Sequence, residues 1–133
     1  MRRMEPAATR LYTRDHTWVV VSGGRARVGI SDFAQKELGE IAYVELPKVG
    51  RRLQRGEVGC TVDSMKTSSE IYSPVSGTVA EVNAAVATEE SCGLINSDPL
   101  GDGWLFELEM DNAAELDYLL PEKDYLSYIQ TGV

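Results

Sequence analysis

Lys66 stands in the stretch Val62-Asp-Ser-Met-Lys-Thr-Ser-Ser-Glu70, between two short strand-like runs, and is one of only four lysines in 133 residues. Ser64, Thr67, Ser68 and Ser69 are small and leave room around the amine, while Asp63 and Glu70 flank it. A Schiff-base lysine needs a lowered pKa, supplied by desolvation or a second cation. Acidic neighbours act the other way and keep the ammonium charged. The setting suits a covalent acceptor instead: an exposed amine fixed on a rigid sheet, which a modifying enzyme can find and from which a tethered group can swing. The plain alternative is a solvated lysine on a hairpin.

A second candidate chemistry is a thiolate site, with His16, the only histidine, paired to Cys60 or Cys92. Cys60 alternates in step with Val58 and Val62, which puts it on a core face. Cys92 falls in a loop, where exposure is expected, but no nucleophile signature surrounds it. The cysteines form neither a CxxC nor a zinc pattern, and both are expected to be free thiols. His16 is expected to bond locally beside Trp18.

The elements that must position Lys66 read mostly as strands. Trp18–Val21 and Arg25–Ile30 flank Ser22-Gly23-Gly24, a hairpin with a glycine turn rather than a phosphate loop. Ser31 to Gly39 reads as a short helix, with Ser31 as N-cap and Gly39 as its stop. Ile41–Leu46, Val58–Asp63, Glu70–Ser73, Thr78–Asn83 and Trp104–Met110 are further strands. In the last, Phe106, Leu108 and Met110 alternate with Glu107 and Glu109 in a half-buried pattern. Asn112 and Glu115 signal a helix cap, with Ala113, Leu116 and Leu120 at helical spacing. Pro121 stops that helix and opens another through Tyr125, Leu126 and Ile129. Phe33, Trp104, Phe106 and Met110 read as core, and Tyr118, Tyr125 and Tyr128 as helix packing. Short strands separated by turn signals predict a sandwich or barrel, with two antiparallel sheets around Val28, Ile30, Val44, Val62, Val79 and Phe106.

The chain is acidic, with a net charge of −8 and a pI of about 4.6. That balance disfavours nucleic acid and anionic membrane surfaces, both of which attract basic faces. No apolar run approaches the roughly 20 residues of a membrane span. Residues 1–10 read as a flexible tail without a secretory signal, residues 11–133 as one domain, and the protein as cytoplasmic.

From Leu11 to the C-terminus the chain resembles the glycine cleavage system H protein family. Asp63-Ser-Met-Lys66 is similar to the family's Glu-Ser-Val-Lys, and Ser69-Glu-Ile-Tyr-Ser-Pro-Val-Ser-Gly77 follows it closely. Val28-Gly-Ile-Ser-Asp-Phe-Ala-Gln35, Leu38-Gly39, Val44-Glu-Leu-Pro47, Leu94-Ile-Asn-Ser97 and Gly103-Trp104 fall in family order. The resemblance implies a mainly β barrel-sandwich hybrid with a short internal helix and C-terminal helices. It also implies a non-catalytic, monomeric carrier with lipoate attached covalently to Lys66. Asp63, Ser64, Met65 and Glu70 would be recognised around the lysine, and His16 and Thr17 become candidates for contact with the arm. The implied partners are a lipoate ligase or lipoyl transferase, glycine decarboxylase, aminomethyltransferase and dihydrolipoamide dehydrogenase.

Three departures matter. Thr17 stands where the family has the glutamate of His-Glu-Trp, Cys92-Gly93 replaces a proline before Leu-Ile-Asn, and Asp63 and Glu70 exchange the usual acids. Threonine cannot pair with a cationic aminomethyl group. A second pathway therefore stays open: H-like lipoate-binding proteins carry sulfur intermediates for heterodisulfide-reductase-like complexes. Met65-Lys66 is also similar to the Met-Lys of biotin carriers, but Thr67 and the flanking segments do not fit that family.

Overall fold

The computed structural model describes residues 9–130. Strands β1 (Arg10–Tyr12), β2 (Thr17–Ser22) and β3 (Arg25–Ile30) lead into helix α1 (Asp32–Leu38) and strand β4 (Ile41–Glu45). Strands β5 (Arg52–Leu53), β6 (Val58–Ser64), β7 (Ser68–Tyr72) and β8 (Gly77–Val82) follow. Then come helix α2 (Leu94–Ser97), strands β9 (Phe106–Met110) and β10 (Leu120–Pro121), and helix α3 (Glu122–Gln130). A seven-stranded sheet has the order β10-β1-β2-β3-β9-β8-β5, and a three-stranded sheet the order β4-β6-β7. Every pairing is antiparallel, and the two sheets pack as a sandwich without closing into a barrel.

Local chemistry sets the first half of the chain. Gly23 and Gly24 have φ of 59° and 81°, which suits the primed turn that matches strand twist in a two-residue hairpin. The Ser31 side chain accepts from Ala34 N, and Gly39, at φ 79°, closes α1 where its N–H donates to Gln35 O. Val28, Ile30, Val44, Val62, Val79 and Phe106 are all buried, as their alternation predicts. The sheets meet closely at one point: a Cβ placed on Gly59 of β6 would lie 3.0 Å from Phe106 Cζ of β9.

The structure departs from the sequence reading in several places. The helix expected from Asn112 to Leu120 is a short 3-10 turn, Ala113–Tyr118, and Leu120-Pro121 is a strand paired with β1. Asn112 does cap the turn, accepting from Ala114 N, but pairing with β1 draws the following chain out straight. Tyr118 is therefore 64% exposed rather than packed. Glu107 is buried despite its polar alternation, because Arg27 Nε donates to it at 2.6 Å and Arg25 lies 3.5 Å away. Cys92 is buried rather than exposed, its Sγ 3.5 Å from Ile41 O. Finally, β9 begins at Phe106, and half-buried Trp104 lies under the Arg27 guanidinium at 4.2 Å. Of the tail expected over residues 1–10, residues 1–8 lie outside the described residues, and Arg10 already pairs with Val20.

A second, smaller core lies on the outer face of the large sheet. Tyr12 and Tyr125 stack at 4.2 Å with planes 4° apart, and Trp18 is buried beside them under α3. Among the described residues no helix is long and apolar enough to cross a membrane.

Candidate functional site

Lys66 is exposed in the tight turn between β6 and β7. Ser64 builds that turn. Its backbone N–H donates to Thr67 O at 2.7 Å, and its hydroxyl oxygen accepts from Lys66 N and Thr67 N. Such hydroxyl-to-backbone bonding favours turns over continued strand. Asp63 accepts from the Ser68 hydroxyl across the ladder, one residue pair before the tip. Met65 is 71% exposed beside the lysine, and Glu70 is exposed on β7. The predicted recognition residues thus all surround one turn.

The tip is not free-standing. Met65 N donates to Glu40 O at 2.8 Å, which ties the turn to the chain just after α1. The Lys66 stem lies over Gly39, where an added Cβ would be 3.6 Å from Lys66 Cε. Asn96 of α2 anchors this platform. Its amide donates to Gly39 O and Gln35 Oε1, both at 2.9 Å, and its Oδ1 accepts from Ile41 N. A single side chain from the far helix thus satisfies three groups around the seat of the hairpin. Nothing in the sequence alone singles out Asn96, although Leu94-Ile-Asn-Ser97 is among the family-like segments. Asn96→Ala leaves the Ile41 N–H and the Gly39 carbonyl without their partner, and each orphaned buried group costs about 1–3 kcal/mol. A fall in urea midpoint, with amide exchange accelerating at Met65 and Ile41 before the rest of the three-stranded sheet, checks this expectation.

His16 lies across a groove from β7, whose walls include Arg14, Asp15, Ser69 and Glu70. It adopts φ 72°, unusual for a residue with a Cβ. Three contacts hold it there: its carbonyl accepts from Ser31 N, its Nδ1 shares a hydrogen bond with Tyr125 Oη at 2.8 Å, and its ring leans on Phe33 at 4.7 Å. Tyr125 Oη also bonds Ser31 Oγ at 2.8 Å, so one hydroxyl joins the β1–β2 loop, the start of α1 and α3. Neither thiol is His16's partner. Burial raises the Cys60 thiol to about 12 and also pushes Cys92 up, so neither is a ready thiolate.

Burial against the surrounding rings lowers the His16 pKa, opposed by Asp15 and Glu37. The folded state thus disfavours the proton that the unfolded chain takes up near the ordinary 6.5. Stability is full above that value and declines as pH falls from it toward the lowered folded pKa. His16→Asn should keep the positive φ, which asparagine tolerates, and remove this decline. Urea midpoints of both proteins from pH 7.5 to 5.5 test it, a parallel decline in the variant being the contrary result.

The family model for the glycine cleavage H-protein matches residues 10–132. The chain belongs to that family. An H protein of the glycine cleavage system from Carboxydothermus hydrogenoformans is 48% identical over 114 residues, covering 86% of each chain. One from Thermus thermophilus is 42% identical over 128 residues, covering 96% of this chain and 98% of its own. The crystal structure of a glycine cleavage system H protein from Mycobacterium marinum superposes with a TM-score of 0.81 at 34% identity, over 96% of this chain and 99% of its own.

Within this H-protein fold Thr17, one of the departures the resemblance led us to expect, opens β2 opposite Ile30 and is 1% exposed. Its neighbour His16, not Thr17, lines the groove. Cys92, another such position, sits under Ile41, beside the platform that seats Lys66.

Proposed function

We propose that this chain is the lipoyl carrier of a glycine cleavage system, with lipoate joined through an amide to Lys66 Nζ. What carries the reading is Lys66 itself: an exposed amine at the tip of a turn fixed by Ser64 and seated on Gly39 and Glu40. No carboxylate among the described residues forms an ion pair with it, so the amine is open to a ligase or transferase. Bound lipoate would supply a strained disulfide that accepts an electron pair and a group on sulfur. The chain's own residues then do three things. Asp63, Ser64, Met65 and Glu70 display the lysine to the lipoylating enzyme. The Asn96 platform holds the anchor point still while the arm swings. The His16 groove beside β7 offers polar walls along which an arm can rest. Glycine decarboxylase, aminomethyltransferase and dihydrolipoamide dehydrogenase would supply the catalysis, in the cytoplasm, and the carrier none.

A second reading is favoured by one observation: Thr17 brings no carboxylate to this site. Under it the arm serves a heterodisulfide-reductase-like complex in sulfur oxidation. The experiment that separates the two is glycine-dependent carbon dioxide exchange, using the lipoylated chain with glycine decarboxylase from the same organism. Exchange that saturates with carrier supports glycine cleavage. Decarboxylase left idle by a fully lipoylated carrier, alongside turnover by the heterodisulfide-reductase-like enzyme, would assign the arm to sulfur.

A further inference from the structure

In this −8 chain, Arg14 and Arg55 stand out among the described residues: neither reaches a carboxylate, and both face one cleft. Arg25, Arg27, Arg51 and Arg52 all reach carboxylates, and Arg10 donates to Leu100 O. Arg14 and Arg55 are exposed and form no ion pair with any described residue. Each guanidinium rests instead over a tyrosine ring: Arg55 over Tyr118 at 4.0 Å and Arg14 over Tyr128 at 5.8 Å. Arg14 and Arg55 line the same cleft of about 180 Å³, with Tyr72, Pro74, Tyr118 and Leu119. Asp15 is also in its wall but reaches neither guanidinium within ion-pair distance.

We propose that this cleft docks an acidic segment of a partner protein, with a carboxylate held between Arg14 and Arg55. Two like charges facing one cleft repel, and a carboxylate entering between them relieves that repulsion. The tyrosine faces hold the guanidinium planes in place, so little side-chain freedom remains to be lost on binding. The rim points to a polypeptide rather than a small anion. Tyr72 is 37% and Tyr118 64% exposed, so aromatic area surrounds the charges and remains uncovered. Exposed tyrosine beside arginine is the composition of interface hot spots. Charge also gives the cleft a role. A partner that meets this acidic chain through basic surface is attracted in many orientations. One contact of opposite sign selects among them, because turning the partner sets like charges together.

The location fits a carrier. Tyr72 ends β7, the strand that leaves the Lys66 turn. At about 3.3 Å per residue, a partner gripping the cleft lies roughly 20 Å along that strand from the lysine. The proposal stands on Arg14, Arg55 and the tyrosines alone and is independent of what Lys66 carries.

The test uses the full chain labelled with 15N, titrated with capped tetraglutamate, with tetralysine as the control for sign, and with inorganic phosphate. Tetraglutamate should shift the Arg14 and Arg55 Nε–H signals and the amides of Gly56, Ser73 and Leu119, saturably. The Arg14→Gln/Arg55→Gln double variant should bind it at least 10-fold more weakly, while its remaining spectrum stays that of the folded chain. Single variants serve in the same way if the double variant is unfolded. Absence of shifts at both arginines overturns the proposal. So does phosphate that binds the cleft as tightly as the peptide, which would make it a site for inorganic oxyanions.

Discussion

Lys66→Arg should leave the folded protein unchanged and abolish its capacity to carry lipoate. The side chain is exposed, and the turn is held by Ser64, Thr67 and the Met65–Glu40 backbone bond, none of which uses the Lys66 side chain. An exposed substitution of this kind stays within about 0.5 kcal/mol of wild type. Arginine keeps the charge and much of the stem, but its guanidinium stays protonated at working pH and is too weak a nucleophile to form the amide. Intact-mass measurement after incubation with a lipoate ligase should show a full adduct on wild type and none on the variant, and carrier activity should fall to background. An adduct of equal yield on Lys66→Arg would move the attachment to Lys36, Lys48 or Lys123.

Phe106→Ala should have the largest effect on stability, about 3–5 kcal/mol. Phe106 is fully buried on β9, between β3 and β8, and its ring tip meets Gly59 of β6. Deleting it opens a cavity at the junction of the two sheets. Gly59 has no side chain to move into the space. For a domain that is stable by only about 5–15 kcal/mol, this is a large fraction of the total. Chemical denaturation should give a lowered midpoint with an unchanged slope. A loss below about 1 kcal/mol would mean that the sheets close up around the gap.

Residues that act through their immediate neighbours were legible in the sequence. The Gly23-Gly24 hairpin, the Ser31 cap, the Gly39 stop and the buried alternation of Val28, Ile30, Val62 and Val79 depend on backbone sterics and side-chain periodicity within a few residues. The exposed turn at Lys66 is of the same kind, because Ser64 and Thr67 bond within it. The sequence by itself therefore determined the seven longer strands, the first helix and the turn that bears Lys66. Tertiary structure decided what seats and surrounds that lysine. Asn96 reaches Gln35, Gly39 and Ile41 across 55 or more residues, and Tyr125 reaches His16 across 109. Leu120 reads as helix until β1 captures it as an edge strand, and Glu107 reads as solvated until Arg27 draws it under cover. Arg14 and Arg55, 41 positions apart by their numbers, face one cleft only after folding. The physical reason is common to all of these. Hydrogen bonds and charges between distant segments leave no periodic trace in the chain, since the partner that satisfies each group is chosen by where the sheets bring it.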